Sequence, residues 1–409
     1  MVSKLDVFLT ISLFEGLSCN DIVKKMGKKQ TGYSSIFKLI QKLKVQNLIQ
    51  EKDNKYFVKN QEMAKKLASI ILFCFQNNID YNKIVSEKTA QFIKLGLEKT
   101  EIFETSFDPK TVQKISKILS KHGFIIIEKR KPFLFKIVYS NFLEQLAEFF
   151  FGKIKVKSSD LTENLNEIKV NEQLAKQFSE YKKASKSIIS FDEIGFIHSS
   201  LSLEGNTLSL SETEKLIKKN IAPATKPFKD AQQVVDYKKA LDEFIFPEKP
   251  LNMQTILEFH QIAMNSLKAG AGKIRKHNVQ IKGNPNFKTS DWKQVPSQLQ
   301  DFFGKIQEFE KQKKLSPMQI VENAALFHVE FQSIHPFVDG NSRTSRAIFG
   351  KILIEKGFPL IKIPVGFSDQ YMKLTKLSTA RNDKKFVLLM KQITIENLKI
   401  SKQKLEYRE

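Results

Sequence analysis

The sequence predicts a mainly α-helical protein of two or three domains. Apolar residues recur at three- and four-residue spacing through most segments. Strand-like alternation is confined to short stretches bounded by turn residues. The length, 409 residues, exceeds what one ordinary core organises. With 41% hydrophobic and 27% charged residues the composition is globular, which excludes wholesale disorder. Two cysteines, Cys19 and Cys74, exclude a disulfide scaffold and a cysteine zinc cluster. The longest apolar run, residues 70–75, is too short for a membrane span. Residues 1–6 lack a secretory h-region, so a soluble, cytoplasmic protein without a membrane partner is expected.

The net charge is +23, of which residues 1–60 hold +6, residues 61–150 hold +4 and the remainder +13. Nucleic acid, nucleotide phosphates and plain solubility are all compatible with that spread.

Residues 4–14 read as a short apolar helix. Ser18 followed by Asp21 caps a second helix over 20–26, which Gly27 ends. A third helix spans 32–46, with Ile36, Leu39, Ile40 and Leu43 on one face and Lys38 and Lys42 on the other. Strands at 48–51 and 55–58 flank Lys52-Asp53-Asn54. Three helices and a hairpin resemble a winged helix-turn-helix over residues 1–60. In such a domain the third helix enters a major groove, and Lys38, Lys42, Lys52 and Lys55 reach double-stranded DNA. The alternative for this module is protein contact, including a homodimer.

Residues 61–100 read as two helices. A helix from Asp108-Pro109 to Ser120, then strands at 124–128 and 133–139, suggest a second winged-helix-like region within 61–150. Residues 151–190 read as a helical linker.

Ser316-Pro317 opens a further helix with a capping serine and a first-turn proline. It runs to about Ile334 and is followed by His335-Pro336-Phe337-Val338-Asp339-Gly340-Asn341-Ser342-Arg343-Thr344-Ser345-Arg346. Pro336 pushes His335 out of helical geometry, and Phe337 is an apolar anchor. Gly340 permits a turn that aims successive N–H groups inward at a new helix N-terminus, which makes an anion nest. Arg343 and Arg346 share one helix face and add positive charge where the macrodipole disfavours it, so an anion between them is expected. Asp339 is a hard oxygen ligand suited to Mg²⁺. His335 is a titratable base beside the nest.

This stretch resembles the Fic signature, His-x-Phe-x-Asp/Glu-Gly-Asn-Gly/Lys-Arg-x-x-Arg, at His335, Phe337, Asp339, Gly340, Asn341, Arg343 and Arg346. Seven residue types at fixed spacing arise by chance at about one position in a billion. Ser342 departs from the family's Gly or Lys. Its Cβ approaches the phosphates, and a left-handed conformation there costs about 1 kcal/mol. Residues 271–283 resemble the segment ahead of the family's catalytic helix. Val279, Gln280 and Ile281 would lie in a β-hairpin flap, about 278–289, that holds a target chain. Ser200-Leu201-Ser202-Leu203-Glu204-Gly205-Asn206 resembles the family's inhibitory helix, here about 192–206. Ser200 and Glu204 share a face, and Gly205 ends the helix. The resemblance covers roughly residues 190–395. It implies a Fic domain over 191–395, with residues 396–409 as a helical tail.

The resemblance implies protein adenylyl transfer, in which AMP passes from ATP to a Ser, Thr or Tyr hydroxyl of a target protein. His335 would be the base, Asp339 would hold Mg²⁺, and Gly340, Asn341, Ser342, Arg343, Thr344 and Arg346 would bind nucleotide. Tyr371 and Asn382 would lie near the adenine. Glu204 would restrain the reaction by pairing with Arg346. A second reading is a winged-helix DNA-binding regulator whose Fic-like domain senses nucleotide, with weak transfer or removal of AMP.

Overall fold

The computed structural model of the chain describes residues 2–27, 32–59, 61–99, 107–130, 133–185, 192–224, 226–245, 249–267, 270–281, 283–377 and 382–406. It divides into two units, residues 1–118 with 141–157 and residues 119–140 with 158–409.

The first unit opens with α1 (Lys4–Leu13), α2 (Cys19–Lys25) and α3 (Tyr33–Val45). Capping boxes start the first two, Ser3 with Asp6 and Ser18 with Asp21. The antiparallel hairpin β1 (Ile49–Lys52) and β2 (Lys55–Val58) pairs Ile49 with Val58 and Lys52 with Lys55. Asp53 and Asn54 both take positive φ, 50° and 58°, as a two-residue turn of the right twist requires. Phe8, Ile11, Ile22, Ile36, Ile40, Leu43 and Tyr56 form the core of this part. Next come α4 (Gln61–Gln76), the single turn α5 (Tyr81–Ile84), α6 (Glu87–Glu98), most of α7 (Pro109–Lys121) and α8 (Asn141–Phe151). Phe73 stacks on Phe142 at 4.4 Å, and Lys66 pairs with Glu148 at 2.8 Å, which ties α8 to α4.

The second unit holds the hairpin β3 (Ile125–Arg130) and β4 (Phe133–Ile137). Its helices are α9 (Glu167–Ser185), α10 (Glu193–Ser202), α11 (Leu210–Lys219), α12 (Phe228–Phe244), α13 (Met253–Ala263), α14 (Val295–Lys311), α15 (Pro317–Ile334), α16 (Asn341–Glu355), α17 (Ser368–Leu374) and α18 (Asp383–Glu406). Thirteen of the fifteen residues of α16 are buried, so it runs through the centre rather than along a face. α15 packs against both α16 and α18.

Three expectations change. The β3–β4 hairpin does not complete a second winged helix with α7 and α8, because it folds with the second unit. Gly366 crosses the hairpin's start so closely that a Cβ there would lie 2.3 Å from the Gly123 backbone, and Gln370 Nε2 donates to Tyr139 O at 3.0 Å. Of its charged tip, Lys131 and Pro132 lie outside the described residues. The stretch expected as a linker contains α9, whose Val170, Leu174 and Tyr181 are buried in the second core and which packs on α18. The expected boundary at 395 falls inside α18, which continues unbroken to Glu406. None of the described helices is long and apolar enough to cross a membrane.

Four histidines of the second unit are held neutral chiefly by burial, His122, His260 and His335 down to about 4 and His328 to about 3. In the unfolded chain each protonates near its ordinary value of about 6.5. Below that value the unfolded state binds more protons, so the contribution is complete above pH 6.5 and is lost as pH falls toward 4. Thermal melts between pH 7.5 and 4.5 are expected to show Tm falling by about 5 °C or more below pH 6.5. A flat Tm across that window contradicts the assignment.

Candidate active site

α15 is capped at its start by Ser316 and Gln319 and ends at Ile334. His335 closes it with φ 51° and ψ 58°, and its N–H donates to Phe331 O at 3.0 Å. The proline was expected to push His335 out of helical geometry, and the conformation it takes up is left-handed. That conformation is uncommon for a side-chain-bearing residue and more so before proline. It is held by Arg275, a buried guanidinium with no acidic partner in its hydrogen bonds. Arg275 Nε donates to His335 O at 2.7 Å, Nη2 to Ile334 O at 3.3 Å and Ser290 O at 2.5 Å, and Nη1 to His277 O at 2.9 Å. The Arg275 N–H donates to Pro336 O at 2.9 Å.

The loop interior is pinned from both sides. Phe337 is fully buried and stacks on the His260 ring at 3.6 Å. Gly272 N–H donates to His260 Nδ1 at 2.9 Å, which leaves the proton of this neutral ring on Nε2, 2.9 Å from Asp339 O. Asn341 pairs with Phe337 through both backbone groups, accepting from its N–H at 2.9 Å and donating to its carbonyl at 2.8 Å. The Asn341 side chain thus shapes the loop, and only its backbone N–H is open to a nucleotide.

His335 is half-buried, with Nδ1 3.2 Å from Gln332 O. Burial lowers its pKa to about 4, against a small opposing pull from that carbonyl. A neutral imidazole donating from Nδ1 carries its lone pair on Nε2, which is the form a proton acceptor needs.

α16 begins at Asn341, and the N–H groups of Asn341, Ser342 and Arg343 have no intrahelical partner. The Gly340 N–H is already taken by Asp339 Oδ1 at 2.6 Å. The left-handed residue is Gly340, φ 83°, where a Cβ would meet Met264 Sδ at 2.7 Å and His260 Nε2 at 3.0 Å. Ser342 is helical, so the backbone strain expected there is absent. Thr344 is buried and its hydroxyl donates to Gly340 O at 2.9 Å, so it stabilises the helix start instead of facing a ligand. Asp339 is two-thirds exposed, and Arg343 Nη2 approaches its Oδ1 at 3.4 Å.

Arg346 takes a different set of partners. Nη2 donates to Glu204 Oε1 and Ser200 O, both at 2.8 Å, and Nε donates to Ser200 Oγ at 2.8 Å. Tyr237 OH lies 3.0 Å from Ser200 Oγ and donates to Arg343 O at 3.2 Å. α10 stops at Ser202, and bonds from Gly205 N–H to Ser202 O and from Asn206 N–H to Leu201 O close its end, with Gly205 left-handed. Glu204 therefore sits in the closing turn rather than on the helix. Arg346 Nη1 and Arg343 Nε are buried without a hydrogen-bond partner among the described residues.

Two expected placements fail. Residues 278–289 form no β-hairpin. Val279, Gln280 and Ile281 lie in an irregular loop whose only pairing among the described residues is an isolated bridge from Ile281 to Asn284. Lys282 lies outside the described residues. Loop closure comes from side chains instead, such as Thr289 Oγ1 donating to Val279 O at 3.0 Å. Tyr371 is buried with its OH 2.9 Å from His328 Nε2, and Asn382 caps α18 through Lys385 N–H, so neither is free for an adenine. Lys38, Lys42, Lys52 and Lys55 are all exposed on the first unit. Sequence reasoning missed Arg275 and His260. Arg275 did carry a signal, being one of six arginines among 61 lysines. His260, a lone histidine in an amphipathic helix, carried none.

Residues 250–353 match the Fic/DOC family model. "Protein adenylyltransferase Fic" of Drosophila erecta is 26% identical over 209 residues, 49% of this chain and 40% of that protein. The Drosophila melanogaster protein of the same name gives the same figures. The chain thus spans less than half the length of the curated relatives it matches. Among solved structures, Fic-1 from C. elegans superposes with TM-score 0.51 and 16% identity, covering 83% of this chain and 99% of that one. A Fic domain containing signaling protein from Bacteroides thetaiotaomicron gives TM-score 0.50 and 19% identity, covering 57% of this chain and 98% of that one. These likenesses are in fold. The loop from His335 to Arg346 and the arginine that clamps it lie inside the matched segment, and residues 250–353 of this chain are a Fic domain.

Proposed function

We propose that the chain is a protein adenylyltransferase, moving AMP from ATP to a Ser, Thr or Tyr hydroxyl of a protein and restrained by Glu204. The observation that carries this reading is the pair of buried arginines at the start of α16, both with unspent N–H groups, beside a neutral histidine. The names of the curated relatives support it.

In this mechanism the target oxygen attacks the α-phosphorus, the bond from that phosphorus to the bridging oxygen breaks, and pyrophosphate leaves. His335 Nε2 accepts the hydroxyl proton. The N–H groups of Asn341, Ser342 and Arg343 bind phosphate oxygens at the positive end of α16. Arg343 orients the β-phosphate. Arg346 is spent on Glu204 and Ser200 and orients the γ-phosphate only once Glu204 leaves. Asp339, an exposed carboxylate approached by Arg343, would hold Mg²⁺ through its oxygens. A bound ion would neutralise charge on the departing pyrophosphate.

A second reading concerns the first unit. Four exposed lysines on α3 and the β1–β2 hairpin favour a DNA-binding role for a winged helix there.

With α-labelled ATP and Mg²⁺, Glu204→Gly is expected to raise labelling of itself or of lysate proteins about tenfold or more. In that background His335→Ala lowers it by about 10²- to 10⁴-fold. If neither form labels anything, the transferase reading fails. Arg275→Lys keeps the charge but loses the planar fork that holds four carbonyls. It should cut kcat by roughly 10²-fold through misplacement of His335, with KM for ATP nearly unchanged. An equal change in both parameters contradicts the positioning role. For the first unit, replacing Lys38, Lys42, Lys52 and Lys55 by Gln should reduce the salt slope of duplex DNA binding by about 3.6. Absent or salt-independent binding removes the DNA reading.

A further inference from the structure

Residues 268–293 carry six lysines, one arginine and a single carboxylate, Asp291. Arg275 lies buried beneath this loop, with its fork on His277, Ser290, Ile334 and His335. Ser290 N–H also donates to Ser333 O at 3.1 Å. Both ends of the loop are therefore fastened to the backbone that presents His335. The far side is fastened too, since Asn284 Nδ2 donates to Lys376 O at 3.1 Å.

Some lysines of the second unit pair with carboxylates and others, such as Lys169, Lys239 and Lys313, are exposed without one among the described residues. This loop is set apart by its density, six lysines and one arginine against one carboxylate. Lys238, Lys305, Lys351, Lys362, Lys385, Lys391, Lys399 and Lys402 all pair with carboxylates. Lys273, Lys276, Lys288 and Lys293 are exposed and pair with none among the described residues. Asp291, the loop's own carboxylate, is occupied by the Lys293 N–H at 2.9 Å and Asn278 Nδ2 at 3.4 Å. Exposed Lys373 and half-buried Lys376 continue the rim. Unpaired like charges held together on a fastened loop repel one another, and an anionic partner relieves that.

We propose that this rim docks an acidic stretch of the target protein beside the hydroxyl to be modified. The inference rests on the adenylyltransferase reading and adds the chemical class of the target. A peptide is favoured over a nucleic acid because residues 278–280 stand in no β-ladder among the described residues, and the Val279 carbonyl is held only by a side-chain hydroxyl, Thr289 Oγ1 at 3.0 Å. An extended peptide pairs with backbone N–H and C=O groups alike, whereas a phosphate backbone cannot donate to a carbonyl.

The test is fluorescence anisotropy with the full chain and three labelled twelve-residue peptides. Each has a central Thr, flanked by Glu and Asp, by Gln and Asn, or by Lys. The acidic peptide is expected to bind at least tenfold more tightly than the neutral one at low salt. K273E/K276E/K288E/K293E should lose at least tenfold of that binding while ATP affinity stays unchanged. K38E/K42E/K52E/K55E should bind the acidic peptide as the unmodified chain does. Equal affinity for the acidic and neutral peptides overturns the proposal. So does unchanged binding in the loop variant, loss in the first-unit variant, or duplex DNA binding to the loop more tightly than the acidic peptide. Binding is read without catalysis, so failure of Glu204→Gly to label anything sinks the transferase reading separately.

Discussion

The second unit is organised around one buried cation, the Arg346 guanidinium. A charge in that position is tolerable only if its N–H groups find acceptors, and removing a buried partner typically costs about 3–5 kcal/mol. The acceptors are supplied by the end of α10: Ser200 with its carbonyl and hydroxyl, and Glu204 with its carboxylate. α10 must therefore stop where it does. One further helical turn would carry Glu204 round the axis, whereas the closure at Gly205 turns it back over Arg346. Tyr237 then links α12 to the same point, touching Ser200 Oγ and the Arg343 carbonyl. Three helices converge on one side chain. Ser200 supplies two of the three bonds, so Arg346 would keep most of its support if Glu204 moved away. The carboxylate is the replaceable partner, and an anion with several oxygens is the natural replacement.

A second constraint acts on the other side of the loop. His335 stands in a left-handed conformation before a proline, a combination that costs on the order of 1–3 kcal/mol and persists only where the surroundings over-determine it. Arg275 supplies that over-determination by gathering carbonyls from residues 277, 290, 334 and 335. His260 does the same for Asp339, and Phe337 fills the space between. The reactive-type groups are thus placed by residues that touch no ligand themselves.

Much of this was legible in the sequence, for reasons that differ by residue. His335, Asp339, Gly340, Arg343 and Arg346 stand at fixed spacing in one contiguous stretch, where helix geometry alone relates them. Ser200 and Glu204 were legible because four-residue spacing shares a face and Gly205 marks an end. Arg275 and His260 were not, because their roles depend on segments 60 to 80 residues away. The loop at 278–289 was misread because alternating Val279 and Ile281 imply a strand only when a partner strand exists, and here side-chain bonds close the loop. The β3–β4 hairpin was grouped with its sequence neighbours, although the Gly123–Gly366 crossing that fixes it involves residues 243 positions apart. Ser342 was judged by the wrong neighbour: the left-handed turn falls at Gly340, and a serine two residues later is an ordinary helical residue.

The division of labour between the two basic residue types follows from their chemistry. The chain holds 61 lysines and six arginines. Arg275, Arg343 and Arg346 are all buried in the Fic domain, and Arg275 and Arg346 bridge several oxygens at once. A planar fork with five donors meets that demand, and an ammonium, strongly hydrated and point-like, does not. Lysine is the better surface charge, and most of the +23 is of that kind. The charge that bears on chemistry is thus a small part of the total. It is distinguished by which side chain carries it and by whether a carboxylate already answers it. Arg346 is answered by Glu204, and Lys273, Lys276, Lys288 and Lys293 are answered by no carboxylate among the described residues. The first condition describes a site held closed, and the second a surface held open. Both are met within one domain.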